Sequence, residues 1–156
     1  MTRSVTRTVA RPHQWLLAVD PRVYHWDTLF VKGKEMWRHA GSKPDALRQM
    51  KQMRRGDRAL CYHGKPEYAL YAIAEVTRDP YPDPHDPTPK HLVIDLRALE
   101  RLPRQVSLEE LRENRALRKV KFLKNPRMTI SPLQEEEYSE ILRLAGIVAA
   151  PGIPLP

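Results

Sequence analysis

The sequence is poor in cysteine and glycine and has no long apolar run, and each shortage removes a class of function. Cys61 is the only cysteine among 156 residues, which excludes an internal disulfide framework and a cysteine-rich zinc site. A reducing, cytoplasmic setting fits that count. Six glycines argue against a glycine-rich phosphate-binding loop. No apolar stretch approaches the ~20 residues of a membrane span. The N-terminus carries Arg3, Arg7 and Arg11 but lacks the apolar segment of a secretory signal. No membrane partner is therefore expected, and no internal repeat is visible.

Proline and positive charge are what the sequence has in excess. Fifteen prolines predict stiff, defined loops. Lys and Arg total 27 against 19 Asp and Glu, a net charge of +8. That balance suits an anionic partner, most commonly nucleic acid. The length fits one domain, which can bury roughly two-thirds of its unfolded surface without a metal or disulfide.

Residues 1–12 are basic and unpatterned and read as a flexible arm. Trp15 to Val19 is a short apolar run stopped by Asp20-Pro21, a buried strand. Val23, Trp26, Leu29 and Phe30 follow at helical spacing. Ser42-Lys43-Pro44-Asp45 resembles a capped helix start, with Ser42 as the cap and proline in the first turn. That helix carries Ala46, Leu47, Met50 and Met53 and stops at Gly56-Asp57. Arg58 to His63 and Tyr68 to Val76 read as strands, the second covered on both faces.

Asp79 to Pro89 holds five prolines and reads as a loop. His91 to Ala98 is a further strand. Ser107-Leu108-Glu109-Glu110 is a capping box opening a helix to about Asn114, and Arg127 to Ile130 is a short strand. Ser131-Pro132-Leu133-Gln134 reads as a third cap, for a helix that Gly146 stops. Residues 147–156 form a short apolar tail, expected to be loosely held. Strands and helices do not alternate evenly, so the order predicts an α+β fold, a mixed sheet or small barrel with helices at its margins.

Catalytic constellations are scarce. The six histidines form no helical metal pair. Asp83, His85, Asp86 and His91 share a proline-rich loop without the ligand spacing of a metal site. Cys61 and His63 fall on one strand face, but a free cysteine is usually a small buried hydrophobe. Glu75 has no acid/base partner in sight. The residues thus predict a non-enzyme with no metal and no cofactor.

Cations cluster twice. Arg48, Lys51, Arg54, Arg55 and Arg58 crowd one helix end. Arg115, Arg118, Lys119, Lys121, Lys124 and Arg127 place six cations in thirteen residues with no acid between them. Both clusters suit a phosphate backbone, and Arg54, Arg55, Arg118, Lys119 and Lys121 are the phosphate-binding candidates. Trp15, Trp26 and Trp37 fall in the first quarter of the chain, with Tyr24 beside Trp26. Indoles offer flat walls for stacking a base. Trp15 reads as core, and Trp37 as a tryptophan in a polar loop.

In order, Trp15-Leu16-Leu17 to Asp20-Pro21, Tyr24-His25-Trp26-Asp27-Thr28-Leu29, Trp37 before a helix, Met53-Arg54-Arg55-Gly56-Asp57-Arg58-Ala59 and Tyr62-His63 resemble the EVE domain family of the PUA-like superfamily. Ala74-Glu75-Val76 followed by Tyr81-Pro82-Asp83-Pro84 is the most distinctive piece. Val93-Ile94-Asp95-Leu96, Leu102-Pro103 and Arg127-Met128-Thr129-Ile130-Ser131-Pro132 complete the set. The resemblance spans residues 13–146. It implies a PUA-like pseudo-barrel of mixed strands with peripheral helices, a non-catalytic nucleic-acid binder that reads a modified, flipped base. The implied pocket lies between the loop after the first strand and the loop carrying Trp37.

Two segments depart from the family pattern. Ala18-Val19-Asp20-Pro21 stands where many members have Lys-Ser-Glu-Pro. Trp37-Arg38-His39-Ala40-Gly41-Ser42 stands where many have Trp-Asp-Gly-Val-Arg-Asn, so the asparagine amide that could read a base edge is missing. The base preference of the family is therefore not carried over. The expected pocket residues are Trp37 with Trp26 or Tyr24 as walls, Asp20, His39 and Ser42 at the base edge, and His63, Arg127 and Ser131 as lining or rim. The partner expected is modified DNA or RNA, bound by a monomer. Two other readings stay open: an enzyme that modifies RNA or a nucleotide, and a binding module for a free nucleotide or metabolite.

Overall fold

A computed structural model describes residues 13–40, 43–88, 90–148 and 155–156. The arm expected at 1–12 lies outside them, as does Ser42. Strand β1 (Gln14–Val19) leads to helix α1 (Asp27–Lys32), edge strand β2 (Lys34–Trp37) and helix α2 (Pro44–Met50). Strands β3 (Arg58–His63), β4 (Ala69–Pro82) and β5 (Leu92–Ser107) follow, then helix α3 (Leu108–Glu113), a 3₁₀ turn (Arg115–Leu117), helix α4 (Lys121–Lys124), strand β6 (Ile130–Leu133) and helix α5 (Glu135–Leu144). The six strands form one mixed sheet in the order β2-β5-β4-β3-β1-β6. β1 runs parallel to β3, and the other pairs are antiparallel. The α+β class read from the sequence is the one observed. Among the described residues no helix is long and apolar enough to cross a membrane.

Alternation along the strands sends side chains to two cores. Trp15, Leu17, Ala59, Cys61, Ala72 and Ala74 face one side, which also holds Trp26 and Trp37. Leu16, Leu60, Tyr62, Leu70 and Ile73 face the other, under Leu111, Phe122, Ile141 and Leu142. The central strands are thus covered on both faces, as their apolar runs predict.

Several boundaries differ from the sequence reading. β4 continues through Pro80 and Pro82 into the stretch expected to be a loop. Its pairing with β3 ends at Glu75 opposite Arg58, so beyond Val76 one edge is free and a missing proline N–H costs no ladder bond. β5 runs past Ala98 to Ser107 and accommodates Pro103 where the register slips between Arg101 and Val106. β2 has four residues and pairs only with β5, which is too short to show alternation.

The caps also sort themselves. Ser107 and Glu110 form the reciprocal box: the serine Oγ accepts from Glu110 N–H, and Ser107 N–H donates to Oε2, both at 3.1 Å. α2 starts at Pro44, with Lys43 at the N-cap position and no side-chain cap bond from it, so the expected proline does occupy the first turn. The third cap shifts by three residues. Gln134 and Glu137 form a capping box at the start of α5, and Ser131-Pro132-Leu133 belong to β6 because they pair with β1. Of the tail, Leu155 packs on the aliphatic core, and the Pro156 carbonyl accepts from Tyr138 Oη at 2.5 Å. These last two residues are docked, whereas the sequence suggested a loose tail.

Candidate functional site

The densest aromatic group grows from the segment between β1 and α2. Asp27 in the first turn and Lys32 in the last complement the dipole of α1. Gly33 stops the helix at φ 82°, a conformation glycine adopts without steric cost. The chain turns directly into β2, so Trp26 at the start of α1 and Trp37 at the end of β2 come together. Their rings lie 6.0 Å apart and 15° from parallel. Tyr24 meets Trp26 edge-on at 5.5 Å, and His39 lies 4.3 Å from Tyr24 and 6.1 Å from Trp37. Four of the predicted pocket residues therefore share one aromatic box.

The box is firmly held. Tyr24 Oη donates to Glu35 Oε1 at 2.5 Å, and Lys32 Nζ binds the other oxygen at 2.9 Å. Burial, with help from Glu35, pushes the Tyr24 hydroxyl pKa up, so it remains a donor. Trp26 Nε1 donates to the Tyr62 carbonyl at 3.1 Å. Trp26 and Trp37 are fully covered, and Trp37 is core at a strand end where the sequence suggested a polar loop. His39 is half-buried and keeps the most exposure of the four rings. Burial lowers its pKa, so its imidazole is held toward the neutral form. The buried Nε1 of Trp37 has no hydrogen-bond partner, an uncommon state for a covered donor.

His63 supports the box from behind. It is fully buried at the end of β3, and its Nε2 accepts from the Trp26 backbone N–H at 3.0 Å. Its Nδ1 lies 3.0 Å from Glu67 Oε1. Because Nε2 must be the acceptor, Nδ1 carries the proton and donates to Glu67. Burial, reinforced by His25, lowers the His63 pKa. The His25 ring lies 4.2 Å away, with its Nδ1 accepting from Asp27 N–H at 3.0 Å. His63 is thus a positioning residue for Trp26 rather than a pocket wall.

His25, His63 and Glu67 also bring three ligand-type atoms within 4.8 Å of one another. A divalent cation would need lone pairs on the imidazole nitrogens facing Glu67. Backbone N–H groups already occupy the other nitrogens, so the protons sit on the faces a cation would use. The trio therefore fits a hydrogen-bonded support better than a metal centre. Glu67 and its neighbours Asp27, Tyr71 and Arg101 carry no sequence signal for this role. Asp27 Oδ1 accepts from both Tyr71 Oη at 2.6 Å and Arg101 Nε at 3.0 Å.

The other predicted site residues are scattered. Asp20 is engaged by its neighbour Arg22, whose Nε and guanidinium N–H reach its two oxygens at 3.0 and 2.9 Å. This pairing lowers the pKa of the Asp20 carboxyl. Ser131 does not line the box. It pairs with Leu16 across β6 and β1, so both point to the aliphatic face. There its Oγ accepts from Phe122 N–H at 3.2 Å. Arg127 is exposed in the turn before β6, close to the end of β1, where Ala18 N–H donates to Thr129 O.

The cationic clusters lie on different elements, and of the second only Arg127 is placed near the end of β1. Arg54 and Arg55 precede β3, whose Arg58 pairs with Gln14. Arg54 donates to the carbonyls of Lys51 and Met53, closing the helix end, while Arg55 is exposed. Arg118, Lys119 and Lys121 are exposed on the 3₁₀ turn and α4. Arg115, Arg118 and Lys119 rim a hollow of about 260 Å³ that Glu137 shares.

The pairings suggested for catalysis do not form. Cys61 is buried in the aromatic core, and its thiol pKa is pushed up by burial. Both ring nitrogens of His63 are committed elsewhere. Glu75 sits between Arg58 and Arg97, and Asp83 pairs with Arg38 at 2.7 Å.

The family model of the EVE domain matches residues 13–144. No curated protein matches the chain. A Rhodopseudomonas palustris protein solved by NMR is 30% identical, with a TM-score of 0.82 over 89% of this chain and 97% of its own. An Agrobacterium tumefaciens protein solved by X-ray crystallography is 29% identical, with a TM-score of 0.80 over 90% and 98%. Human THYN1, solved in complex with 5-methylcytosine-containing DNA, is 20% identical with a TM-score of 0.76 over 85% and 96%. The fold is thus the PUA-like one that these proteins share. With the match running from before β1 to the end of α5, the chain belongs to the EVE domain family.

Proposed function

We propose that the chain is a non-catalytic nucleic-acid binder whose box of Tyr24, Trp26, Trp37 and His39 receives a modified, flipped base. The carrying observation is the unpaired Trp37 N–H within that box. A buried donor without a partner is costly, and a ligand acceptor placed there would relieve the cost. The ring walls supply stacking, worth about 1–3 kcal/mol per base. Trp26 and Trp37 are fully covered, so the base meets the box at His39, the ring that keeps the most exposure, and reaches the indoles only where His39 moves aside. Exposed cations at Arg55, Arg118, Lys119, Lys121 and Arg127 would meet phosphates. The family membership and the methylated DNA bound by human THYN1 support this reading.

The test is a binding screen at fixed salt. It uses single- and double-stranded DNA and RNA carrying unmodified, methylated or hydroxymethylated cytosine, or N6-methyladenine. A preference of tenfold or more for one base, about 1.4 kcal/mol, is expected. Trp37→Phe keeps most of the ring but removes the N–H, and should erode that preference. Equal binding of every base, unchanged by Trp37→Phe, would sink the pocket assignment.

A further inference from the structure

A second feature lies outside the aromatic box. Two adjoining hollows of about 540 and 470 Å³ share Lys34 and Thr77 and form one trough over β2, β4 and β5. Its walls carry Lys34, Arg55 and Arg78, all exposed and none in an ion pair among the described residues. The acids that line it are already engaged. Glu75 is held by both Arg58 and Arg97, Glu35 by Lys32 and Tyr24, and Asp95 Oδ1 accepts from Tyr81 Oη at 2.5 Å. Asp79, just outside, accepts from the Arg55 backbone N–H at 2.7 Å. Asp95 and Asp79 keep their charge, since their partners are neutral donors, but Lys34, Arg55 and Arg78 together with the second arginine on Glu75 outnumber them, so positive charge is left over in a concave surface, where field lines concentrate.

The cations are also ordered. Lys34 pairs with Arg97 across β2 and β5, and Arg78 pairs with Asp95 two residues further along β5. That offset is about 7 Å along the strand. The Arg78 guanidinium lies 3.6 Å over the Tyr81 ring. Stacking fixes the plane of this exposed guanidinium, an arrangement that suits a phosphate at its N–H edge. Arg55 closes the far end beside Gly56.

We infer that this trough binds consecutive phosphates of a nucleic-acid strand through Lys34, Arg55 and Arg78. The identity of the polyanion rests on the proposed nucleic-acid function, while the site itself rests on the trough. Lys34 and Arg78 were in neither cationic cluster of the sequence, because they are isolated along the chain and meet only across the sheet.

The experiment compares the wild-type chain with the triple variant Lys34→Gln, Arg55→Gln, Arg78→Gln, all at exposed positions. Affinity for modified and unmodified oligonucleotides is measured from low to high salt, with inorganic tripolyphosphate as a second probe. The triple variant should bind at least tenfold more weakly at low salt, by the same factor for both oligonucleotides. Its slope of log affinity against log salt should be shallower by about 2–3. An unchanged slope overturns the trough, even where the wild type still prefers one base and Trp37→Phe removes that preference. A reduced slope with no base preference in the wild type upholds the trough and defeats the box. Binding of tripolyphosphate but not of oligonucleotides, lost in the triple variant, overturns the nucleic-acid assignment. No binding of either probe by the wild type overturns both proposals.

Discussion

On one face of the sheet the strands offer Ala59, Cys61, Ala72 and Ala74 to Trp15, Trp26 and Trp37; on the other they offer Leu16, Leu60, Leu70 and Ile73 to the aliphatic side chains of the C-terminal helices. Small strand residues make room for large rings, and large strand residues mesh with other aliphatics at the same density. The difference lies in the polar handles. Indoles bring N–H groups into the core, and each needs an acceptor. Trp15 Nε1 donates to Asp57 Oδ2 at 2.9 Å, and Trp26 Nε1 donates to Tyr62 O. Trp37 Nε1 alone of the three has none. On the aliphatic face Tyr62 Oη is also unpaired; it packs edge-on to Phe122 at 4.8 Å, and nothing in the structure explains it.

The comparison is broken most severely by Trp26→Ala. It removes a fully buried ring that packs on both Tyr24 and Trp37 and should cost about 3–5 kcal/mol, read as a lower denaturant midpoint. A loss below about 1 kcal/mol would mean that the box collapses freely around the gap.

The indoles can then be set against each other. Trp15→Phe removes ring volume and a hydrogen bond to a buried carboxylate, whereas Trp37→Phe removes similar volume and an unused donor. Trp15→Phe should therefore be the more destabilising by about 1.5–3 kcal/mol, the usual weight of a hydrogen bond to a charged group. Equal losses in chemical denaturation would show that Trp37 Nε1 is satisfied in solution.

Acid should act first on the aromatic face. The His63 pKa is lowered from its usual 6.5, chiefly by burial, so the unfolded chain takes up the proton more readily than the folded one. Its contribution to stability is complete above 6.5 and declines as pH falls between 6.5 and the lowered folded value. His39 has the same sign. The carboxyl pKa of Asp27 is lowered chiefly by Tyr71, and that of Glu75 chiefly by Arg97. Their contributions decline only below the usual 3.8 and 4.5. Denaturant midpoints that stay constant from pH 7 to 5 would remove the His63 support.

The smallest expected effect is on the exposed basic turn. The double variant Arg118→Gln, Lys119→Gln should change stability by no more than about 0.5 kcal/mol and should lower affinity for oligonucleotides in a salt-dependent way. Thermal unfolding and binding isotherms read the two effects separately.

Much of the fold was legible because it is written locally. The apolar runs of β1, β3 and β4 predicted buried strands, and Ser107 with Glu110 predicted the start of α3. Pro80 and Pro82 misled, since proline is excluded from a ladder only where its N–H is needed. β2 was invisible because four residues show no period. For the site, aromatic type singled out Tyr24, Trp26 and Trp37, and the family resemblance placed them near His39. Ser131 was misplaced because the face of a strand residue depends on register. Glu67, His25, Lys34 and Arg78 gave no signal, because their roles depend on contacts between distant segments.

Composition and local pattern by themselves determined an α+β domain with excess positive charge, without an internal disulfide, and with its three tryptophans in the first quarter of the chain. Only the tertiary structure decided which indole N–H is left without an acceptor, which nitrogen of His63 carries a proton, and which cations face a common trough. Local preferences act over a few neighbouring residues. Hydrogen-bond satisfaction and charge balance are instead settled among groups that strand pairing brings together from across the chain, Trp26 with His63 and Lys34 with Arg78 among them.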